Sequence, residues 1–141
     1  MAGSATLYTE QSVLGHTLGF AAMPEPAGAW IGLCDAATAP TSTTGGVELV
    51  GNGYARQAAA FALLTTPPNI AANSATVAFP PATASWGSIG WFEVWDAASA
   101  GNRLYWGPLV DPADGVTPVT RAVLSGDIVR FTAGVIEVQA T

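Results

Sequence analysis

Apolar positions fall in short runs broken by Gly, Pro, Asn and Asp, the punctuation of a β-rich chain. The densest stretch runs from Trp86 to Pro108 and holds four of the five tryptophans: Trp86, Trp91, Trp95 and Trp106. Between Ile89 and Trp95 nearly every position is apolar, on both parities. Successive strand side chains point to opposite faces, so this pattern predicts a strand covered on both sides. Asp96 to Asn102 supplies turn chemistry, with Gly101 and Asn102 suited to positive φ. Leu104 to Trp106 can then pair back, which predicts a hairpin at the centre of a β core.

The other elements are weaker. Residues 4–20 predict a helix: Ser4, Thr6 and Thr9 offer N-caps, Glu10 suits the positive end of the dipole, and Gly19 and Pro24 supply the stop. Leu7, Leu14 and Leu18 fall on one face of it, fit to cover a sheet edge or reach a neighbouring subunit. Ala29 to Cys34 reads as a strand, Val47 to Val50 as a short one, and Tyr54 to Phe61 as another. Ala75 to Phe79 alternates, with Ala75, Val77 and Phe79 inward, before Pro80 ends it. Thr117 to Leu124, Asp127 to Phe131 and Val135 to Val138 complete the set.

One internal similarity stands out. Trp30 to Ala39 and Trp91 to Ala100 share tryptophan, apolar, any, apolar, any, Asp-Ala-Ala, hydroxyl, Ala. These are expected to be two strand-to-turn units placed alike in two halves of a sandwich, each Asp closing an Asx-turn. The whole predicts an all-β fold, a jelly-roll-like sandwich or barrel of about eight strands with a short N-terminal helix. Residues 1–24 form the helical segment and 25–141 the β-sandwich, as one globular unit.

Composition narrows the partners. Only a tenth of the 141 residues are charged, against about a quarter typically, which suggests a surface covered by other subunits, with a homo-oligomer expected and a trimer favoured. The net charge is −6 and all four bases are arginines: Arg56, Arg103, Arg121 and Arg130. That balance repels phosphate backbones, so no nucleic-acid partner is expected. No apolar run approaches a membrane span, and synthesis in a cytoplasm is expected.

Catalytic chemistry is sparse. His16 and Cys34 are the single histidine and cysteine, in helical and apolar contexts, with no nucleophile–base spacing and no metal-ligand spacing. Ser88 in Trp86-Gly-Ser-Ile-Gly90 lacks the spacing of a nucleophile elbow. Glu93 and Asp96 lie on opposite parities and cannot act as paired carboxylates. Asp111-Pro-Ala-Asp114-Gly115 lacks the alternating carboxylates and closing glutamate of a calcium loop. No catalytic residue, cofactor or metal is therefore expected. Glu93, a carboxylate inside an apolar strand, must reach either solvent at a sheet edge, another subunit or an arginine, with Arg103 across the hairpin as the candidate mate.

The order V-L-G-H-T-L-G (13–19), W-I-G-L-C-D (30–35), G-G-V-E-L-V-G-N-G-Y-A-R-Q (45–57), N-S-A-T-V-A-F-P-P-A-T-A-S-W-G (73–87), the Trp95-Asp-Ala-Ala turn and S-G-D-I-V-R-F-T-A-G (125–134) resembles a family of small tailed-bacteriophage virion proteins. The resemblance implies a structural, non-enzymatic β-rich particle component resident in the virion. Two placements follow from it. The first is a capsid decoration or cement protein that bridges major capsid subunits. The alternative is a tail or tail-fibre component, with host-glycan binding through exposed tryptophans as one form of it. A free lectin-like or hydrolytic domain is the outsider, since tryptophans at hairpin-core spacing serve packing better. The expected contact surface is Leu7, Leu14 and Leu18, the loop carrying Thr43 and Thr44, and Tyr54 with Arg56.

Overall fold

A computed structural model describes residues 1–140. The strands are β1 (Ala2–Ala5), β2 (Ala29–Asp35), β3 (Gln57–Ala59), β4 (Phe61–Leu63), β5 (Ile70–Asn73), β6 (Val77–Ala78), β7 (Gly87–Trp95), β8 (Arg103–Pro108), β9 (Arg121–Val123), β10 (Arg130–Phe131) and β11 (Glu137–Gln139). One helix, α1 (Leu7–Thr17), follows β1. The main sheet runs β3-β2-β7-β8-β1-β11-β5-β4, with β9 also on β7, while β10 and β6 pair separately. The path begins at β3 and ends at β4, which are consecutive pieces of one segment bent at Ala60. The sheet is thus a nearly closed, barrel-like sandwich, closer to the barrel alternative than to a two-sheet jelly roll. Every pairing in it is antiparallel except β1 with β11.

β7 is the centre, as its two-sided apolar pattern predicts. It pairs with β2 from Trp30↔Trp95 to Asp35↔Ile89 and with β8 from Trp91↔Pro108 to Trp95↔Arg103. Its inner face carries Phe92 and Val94, which join Ile31, Leu33, Ile89, Phe79 and Ile136 in the core. The Phe92 ring lies over Gly107 of the adjacent β8 and reaches Gly3 of β1, one strand further on. A Cβ on Gly107 would meet Phe92 Cε1 at 2.8 Å and the Ala2 carbonyl at 2.7 Å. A bulky residue at either Gly3 or Gly107 would displace the ring that fills the barrel. A second cluster seals one side: Tyr54 stacks on Phe79 at 5.9 Å, and Trp86 meets Tyr54 edge-on at 5.5 Å.

Several expectations are corrected. The helix expected over 4–20 starts at Leu7, because Ala2–Ala5 is a strand held between β8 and β11. Thr6 is its N-cap, accepting from Thr9 N at 3.3 Å. Val47 to Val50 contributes only a bridge at Glu48 to Cys34, plus hydrogen bonds from Asp35 N and Leu49 N. Ala75 lies exposed before β6, so only Val77 and Phe79 of that trio point inward. The two similar units are not in opposite halves: β2 and β7 lie side by side, antiparallel, so the repeat is related by local two-fold pairing. Asp35 closes an Asx-turn, taking Ala37 N and Thr38 N at 3.1 Å each. Asp96 instead spans its loop, taking Asn102 N at 2.7 Å and Asn102 Nδ2 at 2.9 Å.

Candidate docking surface

Side chains of β2, β7 and β8 on the face away from the core are Trp30, Gly32 and Cys34; Trp91, Glu93 and Trp95; and Trp106 and Pro108. Such a face would be a large exposed aromatic patch if nothing covered it. The segment from Pro40 to Arg56 covers part of it, using polar anchors. Glu48 is the hub: Arg56 grips it with Nε on Oε1 and Nη2 on Oε2, both at 2.8 Å. Tyr54 OH donates to the same Oε1 at 2.8 Å and accepts from Leu33 N at 2.9 Å. The Arg56 guanidinium also lies 3.8 Å over the Trp95 ring and donates to the Ala97 and Ala100 carbonyls. Gly32 makes room for this assembly, since a Cβ there would meet Glu48 Oε1 at 2.9 Å.

Glu93 is the second anchor. Its side chain is 1% exposed, accepts from Gly46 N at 2.9 Å, and has Arg103 Nη1 at 3.5 Å. The expected Arg103 mate is therefore present, and the solvent-facing alternative is not. Arg103 Nη2 donates to the Thr41 carbonyl, while Nη1 has no hydrogen-bond partner among the described residues. Burial acts to lower the Arg56 pKa, but the Glu48 carboxylate outweighs it and the net shift is upward. For Arg103 burial wins and the shift is downward, with Glu93 opposing. Cys34, beneath the same segment, has its thiol pushed well up by burial and then by Glu93. A buried thiol held protonated is a packing residue, not a nucleophile.

The helix sits on β8 by its threonine-bearing face, so of the two expected uses of the leucine row it does not cover the sheet. Thr9 Oγ1 donates to the Leu104 carbonyl at 2.7 Å and Thr6 Oγ1 to the Arg103 carbonyl at 2.7 Å. Thr9 and Gly15 are its buried residues. Leu7, Leu14 and Leu18 consequently face outward, at 40%, 54% and 69% exposure, and Phe20 beyond them is 73% exposed. His16 is exposed, with Nδ1 accepting from Met23 N at 3.4 Å. The Thr43-Thr44 loop is folded by Thr44 N donating to Thr41 Oγ1 at 3.0 Å, and Leu7 N donates to the Ser42 carbonyl at 2.9 Å.

The structure therefore brings Leu7 and Thr43 together around a shallow concavity of about 340 Å³, with Arg103 in its wall. Leu14 and Leu18 continue the same helix outward. Tyr54 and Arg56 serve the anchor behind this region, and their polar atoms are engaged within the chain. The periodicity located the leucine face. It missed Tyr8 and a second, larger cavity at the other end of the barrel, whose walls come from five separate segments. Ser88 lies on the β7–β9 ladder, and no group of three His, Cys, Asp or Glu able to hold a metal occurs among the described residues. No described helix is long and apolar enough to cross a membrane.

No curated protein matches the chain at a meaningful level. The model of one family, described as "Podophage GP4 fiber I protein gp80", matches residues 4–139, from within β1 to the end of β11. With nearly its whole length matched, the chain belongs to that family of phage structural proteins and is a virion component.

Proposed function

We propose that the chain is a globular, non-enzymatic part of a phage tail fibre that docks on neighbouring fibre chains through the α1 end of the barrel. The match over residues 4–139 to a family described as a fibre protein carries the reading, and it favours the fibre placement over the capsid-cement one. The exposed Leu7, Leu14 and Leu18 row supplies apolar area for burial, and Thr43 and Thr44 provide hydroxyls at its rim. Tyr54 and Arg56 hold the covering segment rigid behind them, which reduces the ordering cost of docking. Self-association into a trimer is the simplest way to bury three copies of one apolar row around an axis.

Two measurements on purified particles test this. Quantitative mass spectrometry is expected to give a few tens of copies, and antibody labelling is expected to decorate the tail. Hundreds of copies with label over the shell would replace the fibre reading by a cement protein bound to major capsid subunits. Light scattering on the isolated chain tests the trimer: a monomer at all concentrations would remove self-association from the proposal.

A further inference from the structure

At the end of the barrel where β7 starts and β8 finishes lies a cavity of about 760 Å³. That volume is within the range of small-molecule sites, and barrel mouths are a recurrent place for them. Core residues Leu109, Val129 and Phe131 close it from behind, and the half-buried Val110, Val119 and Val135 present its apolar floor. Such a floor favours an apolar body and offers almost nothing to a sugar ring, which needs polar partners for its hydroxyls.

The charges around it are unequal in how they are used. Of the four arginines, Arg56 and Arg103 are paired with glutamates elsewhere. The other two, Arg121 of β9 and Arg130 of β10, both stand in the wall of this one cavity. Both are exposed, and neither guanidinium has a hydrogen bond or ion pair among the described residues. Two carboxylates, Asp111 and Glu137, share the wall. Asp111 Oδ1 accepts from Ala113 N at 2.9 Å, and the Met1 ammonium, which donates to the Val135 carbonyl at 2.7 Å, stands in the same wall as Glu137. In a chain of net charge −6, gathering the two unpaired guanidiniums at one apolar hollow is an arrangement with a chemical direction. A guanidinium grips a carboxylate or phosphate through two parallel N–H donors.

We infer that this cavity binds an amphipathic anion, with an acyl-like body over Val110, Val119 and Val135 and a carboxylate or phosphate head held by Arg121 and Arg130. The inference does not depend on where in the particle the chain sits. The same chemistry occurs in free fatty acids and in the head and tail of a membrane phospholipid, so the test separates them.

The whole chain is titrated calorimetrically with dodecanoate and with dodecyl phosphate, using dodecyl maltoside and dodecyltrimethylammonium as neutral and cationic competitors. Saturable binding of both anions is expected, with little competition from the other two. Arg121→Gln and Arg130→Gln are each expected to weaken binding roughly tenfold, the loss of one charge-assisted contact. Arg→Lys at the same positions should recover part of it. Both arginines are exposed, and near-ultraviolet circular dichroism confirms that each variant keeps its tryptophan packing. Absence of binding, equal competition by the maltoside, or unchanged affinity in both Gln variants overturns the proposal. Flotation with phosphatidylglycerol vesicles, lost in the Arg121→Gln/Arg130→Gln double variant, assigns the head group to a bilayer. Binding of dodecanoate without flotation assigns it to a free amphiphile.

Discussion

Two carboxylate–arginine pairs hold the same covering segment to the barrel, and they are built differently. Glu48 and Arg56 form a two-pronged contact at 2.8 Å, reinforced by Tyr54, by two backbone carbonyls and by the Trp95 ring. The two arginines are equally buried, at 7% and 9% exposure, but the Glu93 carboxylate is 1% exposed against 24% for Glu48. Glu93 and Arg103 nevertheless only approach to 3.5 Å, and Glu93 takes its one close hydrogen bond from Gly46 N. The opposite shifts of the two arginines follow: tight pairing outweighs burial at Arg56, and burial outweighs loose pairing at Arg103. Depth and bond quality are thus separable. Without Glu48, Arg56 keeps two carbonyls and the Trp95 ring, whereas without Glu93, Arg103 keeps only the Thr41 carbonyl, and without Arg103 a fully buried carboxylate is stranded.

Glu93→Ala should therefore be the most damaging change, costing about 3–5 kcal/mol through an unpaired buried Arg103. Denaturant unfolding checks it; a loss no larger than that of Glu48→Ala, whose side chain is 24% exposed, would break the distinction. Arg56→Ala should cost about 2–3 kcal/mol, for the charged hydrogen bonds and the ring contact together. Lysine substitution sharpens the contrast. Arg56→Lys forfeits the fork and should lose about 1–2 kcal/mol, more than Arg103→Lys, where no fork exists. Equal losses would mean that the 2.8 Å geometry contributes nothing beyond charge.

Smaller effects bracket these. Leu18→Ser should change unfolding stability by under about 0.5 kcal/mol while lowering self-association in light scattering, because the side chain is 69% exposed. Asp114 offers the exposed counterpart to the buried pairs. Hydrogen bonds from the Thr117 hydroxyl, Thr117 N and Val116 N hold its pKa at about 2, below the ordinary 3.8. A carboxyl depressed in the folded state stabilises above its unfolded pKa, so this contribution is present above pH 3.8 and is lost as pH falls through about 2. Carboxyl resonances followed by NMR should show it, and Thr117→Val should move the titration upward.

How much of this was legible depended on whether the deciding contacts were local. The two-sided apolar pattern of Ile89 to Trp95 identified the central strand, and the proximity of Glu93 and Arg103 across one hairpin identified that pair. The Asx-turn at Asp35 was equally readable, since its donors lie two and three residues on. β1 was not: Ala-Gly-Ser-Ala has no β-branched or aromatic residue, and it is a strand because Gly3 fits beneath Phe92 between two partners. Ile70–Asn73 was missed for a similar reason, being fixed by Asn73, whose side chain bonds Ile136 N and the Ala75 and Thr132 carbonyls. Helical periodicity found the leucine row but not its direction. Thr6 and Thr9 turned it outward by bonding carbonyls on a strand nearly a hundred residues away. The Glu48 hub likewise depends on Arg56, Tyr54 and a distant loop meeting in space.

The sandwiching of β1 between β8 and β11 has a mechanical side. Ala2 and Gly3 pair with β11 and Ser4 and Ala5 with β8, so tension along β1 loads two short ladders one after the other. Parallel alignment puts the β11 ladder in shear, so its paired positions share the load in single-molecule stretching.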